Sequence, residues 1–309
     1  MPQNTRMYWL QGLTPLHVGA GKGVGFIDMP IMREKVTNWP LVPGSAVKGV
    51  IRDYFRVNGT EVQRNNINLA FGQQNSDETS NAGSLVLTDA RIVCLPVQSL
   101  YGTFAYITSP MVLQRLKKDL EVAGCTSIPG FPTVAGDDVC LHTTKSEKTP
   151  ASKIVSESRI FFEDLDFTGT SDNGTTNQWA DLLAENLFKG DTTWQVLFKE
   201  RFAILSDDCF NFLARTGTEV SAHIRIDPER KIVSKGALWY EEALPAETIL
   251  AGVAWCDREY SNKGPTAEQL LACYCQNASL DIQIGGKATV GKGRVRCLFS
   301  DFPAGENHA

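Results

Sequence analysis

Residues 13–55 read LTPLHVGAGKGVGFIDMPIMREKVTNWPLVPGSAVKGVIRDYF and hold a glycine-rich loop, a carboxylate beside a proline and a helix start. The loop is Gly19-Ala20-Gly21-Lys22-Gly23-Val24-Gly25. It follows an expected strand over residues 6–13, where bulky Tyr8 and Leu10 alternate with more variable positions. Glycines permit positive φ and close approach of the backbone to a ligand. Asp28 comes next and leads at once into Met29-Pro30. Pro43-Gly44-Ser45 then predicts a helix with Ser45 as N-cap, and Val47, Val50, Ile51, Tyr54 and Phe55 recur at helical spacing. Its free N–H groups and positive dipole end, with Lys48 and Arg52 four residues apart on one face, suit a phosphate chain.

Outward from this stretch, residues 58–83 are polar and rich in glycine and asparagine, which predicts a long surface loop. Strands are expected over 84–97, bent near Asp89, and over 101–108. Ser109-Pro110 marks a helix start, and Val112, Leu113, Leu116 and Leu120 give that helix one apolar face. Residues 125–157 lose periodicity, 159–167 are strand-like, and Asn177 is the expected cap of a short amphipathic helix. A short strand over 201–205 precedes a helix opened by Ser206-Asp207-Asp208. Residues 219–226 and 232–240 alternate around Asp227-Pro228-Glu229-Arg230, the pattern of a β-hairpin. A strand over 249–256, a helix over 266–277 and a strand over 280–284 lead to a second glycine loop at 285–294, closed by a strand over 295–299. The N-terminal half thus gives strand, helix, strand, and the C-terminal part strand, helix, strand. That order predicts an α+β fold, a ferredoxin-like, RRM-type unit split by insertions.

Hydrophobic residues make up 42% of the 309, ample for a core. No apolar run reaches membrane-spanning length and the N-terminus lacks a signal-peptide pattern, so a cytoplasmic protein without membrane contact is expected. Eight cysteines without a CxxC pair, and only four histidines, argue for reduced thiols over structural zinc. The net charge of −5 argues against nucleic acid, but its distribution argues the other way. Residues 1–60 carry seven basic and three acidic side chains, and residues 281–299 four basic against one acidic, leaving −12 on the remainder. Local basic patches set phosphate affinity, whatever the overall sign.

The segments HVGAG, IDMPI and WPLVPGSAVKGVIRDYF resemble the N-terminal signature of the RAMP superfamily of CRISPR effector subunits, most closely the backbone subunit of the type III-B (Cmr) complex. TEVSAHIRID and KGALWYEE resemble the thumb insertion of that subunit, and GGKATVGKGR resembles the C-terminal glycine-rich loop of RAMP proteins. The resemblance implies a palm over residues 1–205 and 248–309 with a thumb inserted at 206–247. It implies a modified RRM platform for RNA. It also implies a filament of copies arranged head to tail on a guide crRNA, with other type III effector subunits, cutting complementary target RNA at regular intervals.

Chemically, neither glycine loop has Walker A order or a strict GxGxxG. Spaced glycines with lysines suit an extended sugar-phosphate backbone better than a compact nucleotide. Gly19, Gly21, Lys22, Gly285, Gly286, Lys287, Gly291, Lys292 and Gly293 are therefore candidate RNA contacts, together with Ser45, Lys48 and Arg52 at the helix. An aspartate is most often a cap or a surface acid, yet Asp28 lies in the most basic segment, and the resemblance implies that it is the cleavage residue. RNA carries its own nucleophile, the 2′-hydroxyl, so the protein need only align it, assist its deprotonation and stabilise the phosphorane. A carboxylate is a weak base, so holding a divalent metal ion, Mg2+ or Mn2+, at Asp28 is an equal alternative to direct proton removal. His17 is a candidate acid–base partner or a histidine bonded to loop backbone; Glu241 and Glu242 are candidates only through the implied thumb geometry. Rival readings are a non-cutting filament subunit, the equivalent type III-A (Csm) backbone subunit and, more remotely, a small-molecule α/β enzyme.

Overall fold

A computed structural model describes residues 4–302 apart from 22, 24–25, 74–81, 227–228, 230, 232, 257–263 and 277, with 233–236 described in backbone only. Lys22 and most of the hairpin turn at 227–230 therefore lie outside the described residues. In chain order the first elements are β1 (Thr5–Gly12), β2 (Leu41–Val42), α1 (Gly44–Asn58), α2 (Glu61–Phe71), β3 (Leu85–Leu87) and β4 (Ala90–Gln98). Next come β5 (Phe104–Thr108), α3 (Pro110–Val122), β6 (Val139–His142), β7 (Arg159–Phe162), β8 (Leu165–Thr170), α4 (Thr175–Leu187) and α5 (Thr192–Lys199). The chain continues through β9 (Phe202–Ile204), α6 (Asp207–Thr216), β10 (Glu219–Ile226) and β11 (Val233–Ala243). It closes with β12 (Ile249–Cys256), α7 (Ala267–Tyr274), β13 (Ser279–Gln283) and β14 (Arg294–Ser300).

At the centre the strand order is β14-β1-β12-β4, each neighbour antiparallel, with α1 after the first strand in sequence and α7 after the third. This is the ferredoxin-like arrangement. β13 adds to one edge, and on the other side β5, β9, β6, β8 and β7 extend the sheet. β3 and β4 together fill one strand position, pairing with opposite ends of β12. They part at Asp89 because its carboxylate turns away to accept the Gly44 N–H at 2.8 Å. That contact corrects the expected cap. α1 begins two residues earlier, after Pro43, with no side-chain cap of its own, and exposed Ser45 sits in its first turn. Glycine is required at 44, since a Cβ there would lie 2.4 Å from the Leu87 carbonyl.

β1 has side chains buried on both faces. Tyr8 and Leu10 join a core with α1, α2 and α7, whereas Met7 and Trp9 join a second core beneath α3, α4 and α5. In an RRM that second face is the open RNA platform. Here Leu113, Leu116, Leu120 and Trp179 cover it, so the implied sheet-face platform is buried.

The expected loop over 58–83 proves partly helical, since α2 forms within it; the aperiodic 125–157 holds β6, and α5 stands before β9. The strand-like 159–167 resolves into β7 and β8 around a turn. α4 starts at Thr175, not at Asn177. Asp172 accepts the Gly174 and Thr176 N–H groups, and Asn177 instead bonds Thr144 on both its backbone groups. α6 packs Phe210 and Leu213 into the first core, while β10 and β11 pair as a separate ribbon. Five cysteines are buried and three half-buried, and none of the eight is in a disulfide. Among the described residues no helix is long and apolar enough to cross a membrane.

Candidate active site

Three separate segments meet at the base of the ribbon. The chain leaves β1 and is stitched to the end of β11 by two backbone hydrogen bonds between Leu16 and Leu244, at 2.8 and 2.9 Å. The His17 carbonyl accepts the Gly286 N–H at 2.9 Å, and the Pro15 carbonyl accepts the Gly293 N–H at 2.8 Å. Close packing explains the second loop's glycines. A Cβ on Gly285 would lie 2.3 Å from the His17 carbonyl, and one on Gly293 2.2 Å from that of Ile284. Both residues also adopt positive φ, +82° and +85°. These two glycines are therefore occupied by backbone packing. In the first loop Gly21, at φ +95°, faces open space, while a Cβ at Gly23 would strike the Ile27 carbonyl.

The first loop folds back on itself. Ala20 N–H donates to Pro30 O, Met32 N–H to Val18 O and Gly23 N–H to Asp28 O, at 2.9, 2.7 and 3.0 Å. Residues 29–31 then run parallel to β11, with Met29 N–H donating to Tyr240 O at 3.1 Å and Glu242 N–H to Met29 O at 3.0 Å. This parallel bridge fixes Asp28. Its Oδ2 accepts the Tyr240 N–H at 2.8 Å, and the residue is exposed.

Glu241 and Glu242 are consecutive on a strand and so point to opposite faces. Glu241 is bound by Lys287 Nζ at 2.5 Å and Trp239 Nε1 at 2.7 Å, with His223 Nε2 at 3.5 Å and Lys292 Nζ at 3.8 Å. Burial on its own would raise this carboxyl. Hydrogen bonds from Lys287 and Trp239 and the charges of Lys287 and His223 override it, bringing the pKa down to about 2. Glu242 takes Arg33 Nη2 at 2.5 Å, Thr218 Oγ1 at 2.9 Å and the Ile31 N–H at 3.0 Å. Both carboxylates are almost fully buried, their side chains 2% and 3% exposed. His17 is buried too, its Nδ1 2.6 Å from the Glu242 carbonyl oxygen.

The structure thus gathers Asp28, His17, Glu241, Glu242, Lys287 and Lys292, but it presents only the first of the four catalytic candidates to solvent. Glu241, Glu242 and His17 hold the loops together. Lys287 is paired with Glu241 at 2.5 Å, and Lys292 lies 3.8 Å from the same carboxylate. Ser45, Lys48 and Arg52 lie elsewhere. Lys48 donates to Leu85 O at 2.6 Å, beside the far end of β12, and Arg52 reaches Asn68 of α2. Burial, foremost, and the nearby Arg52 charge lower the Lys48 pKa against an opposing effect of Cys256. Arg33, the partner of Glu242, was not singled out from sequence; a basic residue following the apolar Ile31-Met32 is its one signal. Among the described residues no three His, Cys, Asp or Glu side chains gather to hold a metal ion. With the neighbouring carboxylates taken, the described residues offer a single free carboxylate at this point, that of Asp28.

The RAMP superfamily profile matches residues 9–296. This chain belongs to the RAMP superfamily. The match spans the ferredoxin-like palm and the ribbon alike. This RAMP chain is 34% identical over 293 residues, 94% of each sequence, to the CRISPR system Cmr endoribonuclease Cmr4 of Pyrococcus furiosus. It is 22% identical over 301 residues, 93% of this chain and 94% of the other, to the CMR subunit Cmr4 of Saccharolobus solfataricus. The crystal structure of oligomeric Cmr4 from Pyrococcus furiosus superposes with a TM-score of 0.70 at 27% identity, covering 97% of this chain and 98% of that one. A chain of the type III-B Cmr-beta complex bound to cognate target RNA shares the fold, with a TM-score of 0.72 at 20% identity over 96% and 98%.

Proposed function

We propose that this chain is the backbone subunit of a type III-B CRISPR effector and an endoribonuclease that cuts target RNA paired to a guide. The observation that carries the reading is the exposed Asp28 carboxylate, pinned by the Tyr240 N–H where both glycine loops and the ribbon meet. Near-full-length similarity to a protein named a Cmr endoribonuclease supports it. Successive copies stack head to tail along the guide, a repeated heterologous contact, and the remaining effector subunits join this assembly.

In the reaction the 2′-oxygen of the target strand attacks the adjacent phosphorus and the P–O5′ bond breaks. The 2′-hydroxyl gives up its proton, and the departing 5′-oxygen gains one. Asp28 assists at the 2′-hydroxyl or organises the groups around the phosphate. Mg2+ or Mn2+ remains part of the proposal on donor chemistry alone, since Asp28 offers one carboxylate and RNA oxygens and water would supply the other ligands. Removing divalent ions with EDTA tests that part separately.

Asp28→Asn is nearly isosteric and removes the charge. Reconstituted with guide RNA and partner subunits, it is expected to assemble and pair with target while cutting stops. The wild-type protein should leave 2′,3′-cyclic phosphate and 5′-hydroxyl ends and spare a target with a single 2′-deoxy at the cut. Cutting by Asp28→Asn at the wild-type rate would place the active site elsewhere.

A further inference from the structure

We propose that Glu247 is a positioning residue for cleavage: it holds the joint between β11 and β12 and so sets the angle of the ribbon and the place of Asp28 over the palm. The proposal rests on the reading of Asp28 given above. The chain joins ribbon to palm twice, through residues 217–218 after α6 and residues 244–248 between β11 and β12. Glu247 stands in the second joint with φ +70°, the left-handed region that glycine fills most readily. That conformation is unfavourable for a glutamate and persists only where its surroundings over-determine it.

Three bonds do so. The Glu247 N–H donates to Gly12 O at 2.6 Å, and Glu247 Oε2 accepts Gln11 Nε2 at 2.8 Å and the Tyr106 hydroxyl at 3.0 Å. Gln11 continues the parity of Met7 and Trp9 along β1, so its amide lies on the face of the second core, where Tyr106 of β5 also stands. Both donors are buried, and burial, followed by the charge of Glu247, raises the Tyr106 pKa, so its hydroxyl remains a donor. Gln11 Oε1 is buried as well and, among the described residues, has no partner. The joint thus accepts a strained backbone and an unsatisfied oxygen in order to keep one carboxylate at this point.

The joint bears on the chemistry because Asp28 travels with the ribbon. Its Oδ2 is held by the Tyr240 N–H, and the bonds of Met29 to β11 and of Leu16 to Leu244 bind the neighbouring loop to the same strand. A phosphate presented by RNA along the palm therefore meets a carboxylate whose approach is fixed at residue 247. Tyr240 lies four residues before Leu244, about 13 Å along an extended chain, so a rotation of about 5° at the joint moves its N–H by about 1 Å. A misplacement of that size can slow a reaction by about 100-fold.

The test is single-turnover cutting by the guide-loaded complex, read as a rate constant and an amplitude, with hydrogen exchange over residues 238–244 in parallel. Glu247→Gly relieves the backbone and removes the carboxylate. It should assemble and bind target as the wild type does, exchange faster at the ribbon base, and cut to full amplitude about 10- to 100-fold more slowly. Glu247→Gln keeps an oxygen able to take both donors, so it should retain the wild-type rate and protection. Tyr106→Phe should slow the wild type but add little further loss to Glu247→Gly. A wild-type rate constant for Glu247→Gly would overturn the proposal. So would a loss confined to amplitude, which marks a folding role alone, or a Glu247→Gln as slow as Glu247→Gly. If Glu247→Gly does not assemble, Tyr106→Phe decides: a lower rate constant at full amplitude supports the proposal, and an unchanged one overturns it. Asp28→Asn in the same assay separates the two ideas. If it still cuts, the reading of Asp28 fails and its positioning with it; if it is inactive while Glu247→Gly cuts normally, only the role of Glu247 fails.

Discussion

At the scale of single residues, Glu241 draws Lys287, Lys292, Trp239 and His223 from the ribbon and the second glycine loop onto one carboxylate. Its pKa of about 2 lies below the ordinary 4.5. A depressed carboxyl stabilises the fold fully above its ordinary value, and that contribution is lost as pH falls through the folded value, here between 4.5 and about 2. The contribution at pH 7 is on the order of 3 kcal/mol. Glu241→Gln should therefore lower the urea midpoint at pH 7 and have a shallower slope than the wild type below pH 4.5. Equal pH slopes in the two proteins would show that the cluster contributes nothing. Its neighbour in sequence has a different task, since the alternation of β11 turns Glu242 toward Arg33. That alternation was legible from the sequence. The cover on both faces at the ribbon's base was not, because it comes from segments more than forty residues away on either side. For this reason two buried acids and a buried histidine stood among the candidates for chemistry beside Asp28, the one of the four that the structure leaves exposed.

At the scale of elements, the regular pattern was easiest to read where one face is apolar. β12 matches residue for residue, and α3 starts at Ser109-Pro110 as expected. α2 escaped because its buried positions are Gln63, Ala70 and Phe71, with too few hydrophobics to set a period. Its start was nevertheless written in Thr60-Glu61-Val62-Gln63, a capping box. Thr60 Oγ1 accepts the Gln63 N–H at 3.3 Å, and Gln63 Oε1 accepts the Thr60 N–H at 2.8 Å. Buried Gln63 also donates to Cys273 O at 2.8 Å, and its own carbonyl accepts from Tyr274, which ties α2 to α7. Thr60→Ala should cost about 1 kcal/mol and speed hydrogen exchange at the first amides of α2. Unchanged exchange there would mean that the tie to α7 holds the helix start without its cap.

Across the whole molecule, the sheet separates two basic regions that one continuous stretch of sequence had seemed to unite. The loops bearing Asp28 leave from the end of β1 that pairs with Ile249, whereas Lys48 reaches Leu85, which pairs with Cys256 at the other end of β12. Eight residues of strand put those ends roughly 23 Å apart. The helix start and the carboxylate therefore cannot grip one phosphate, although both can meet a long RNA that runs past the palm. Lys48 is half-buried and already bonded to a carbonyl, so its role is either to meet RNA or to prop α1 against β3. These roles separate under salt. If Lys48 meets a phosphate, Lys48→Ala should weaken guide binding equally for unrelated sequences and reduce the salt dependence by about one counterion. At saturating RNA, cutting at Asp28 should continue at the wild-type rate, because the two regions act on different parts of the strand. A fall in stability with the salt dependence unchanged would make Lys48 a prop. A fall in the cutting rate at saturation would mean that the palm transmits its grip on one end of the sheet to the chemistry at the other.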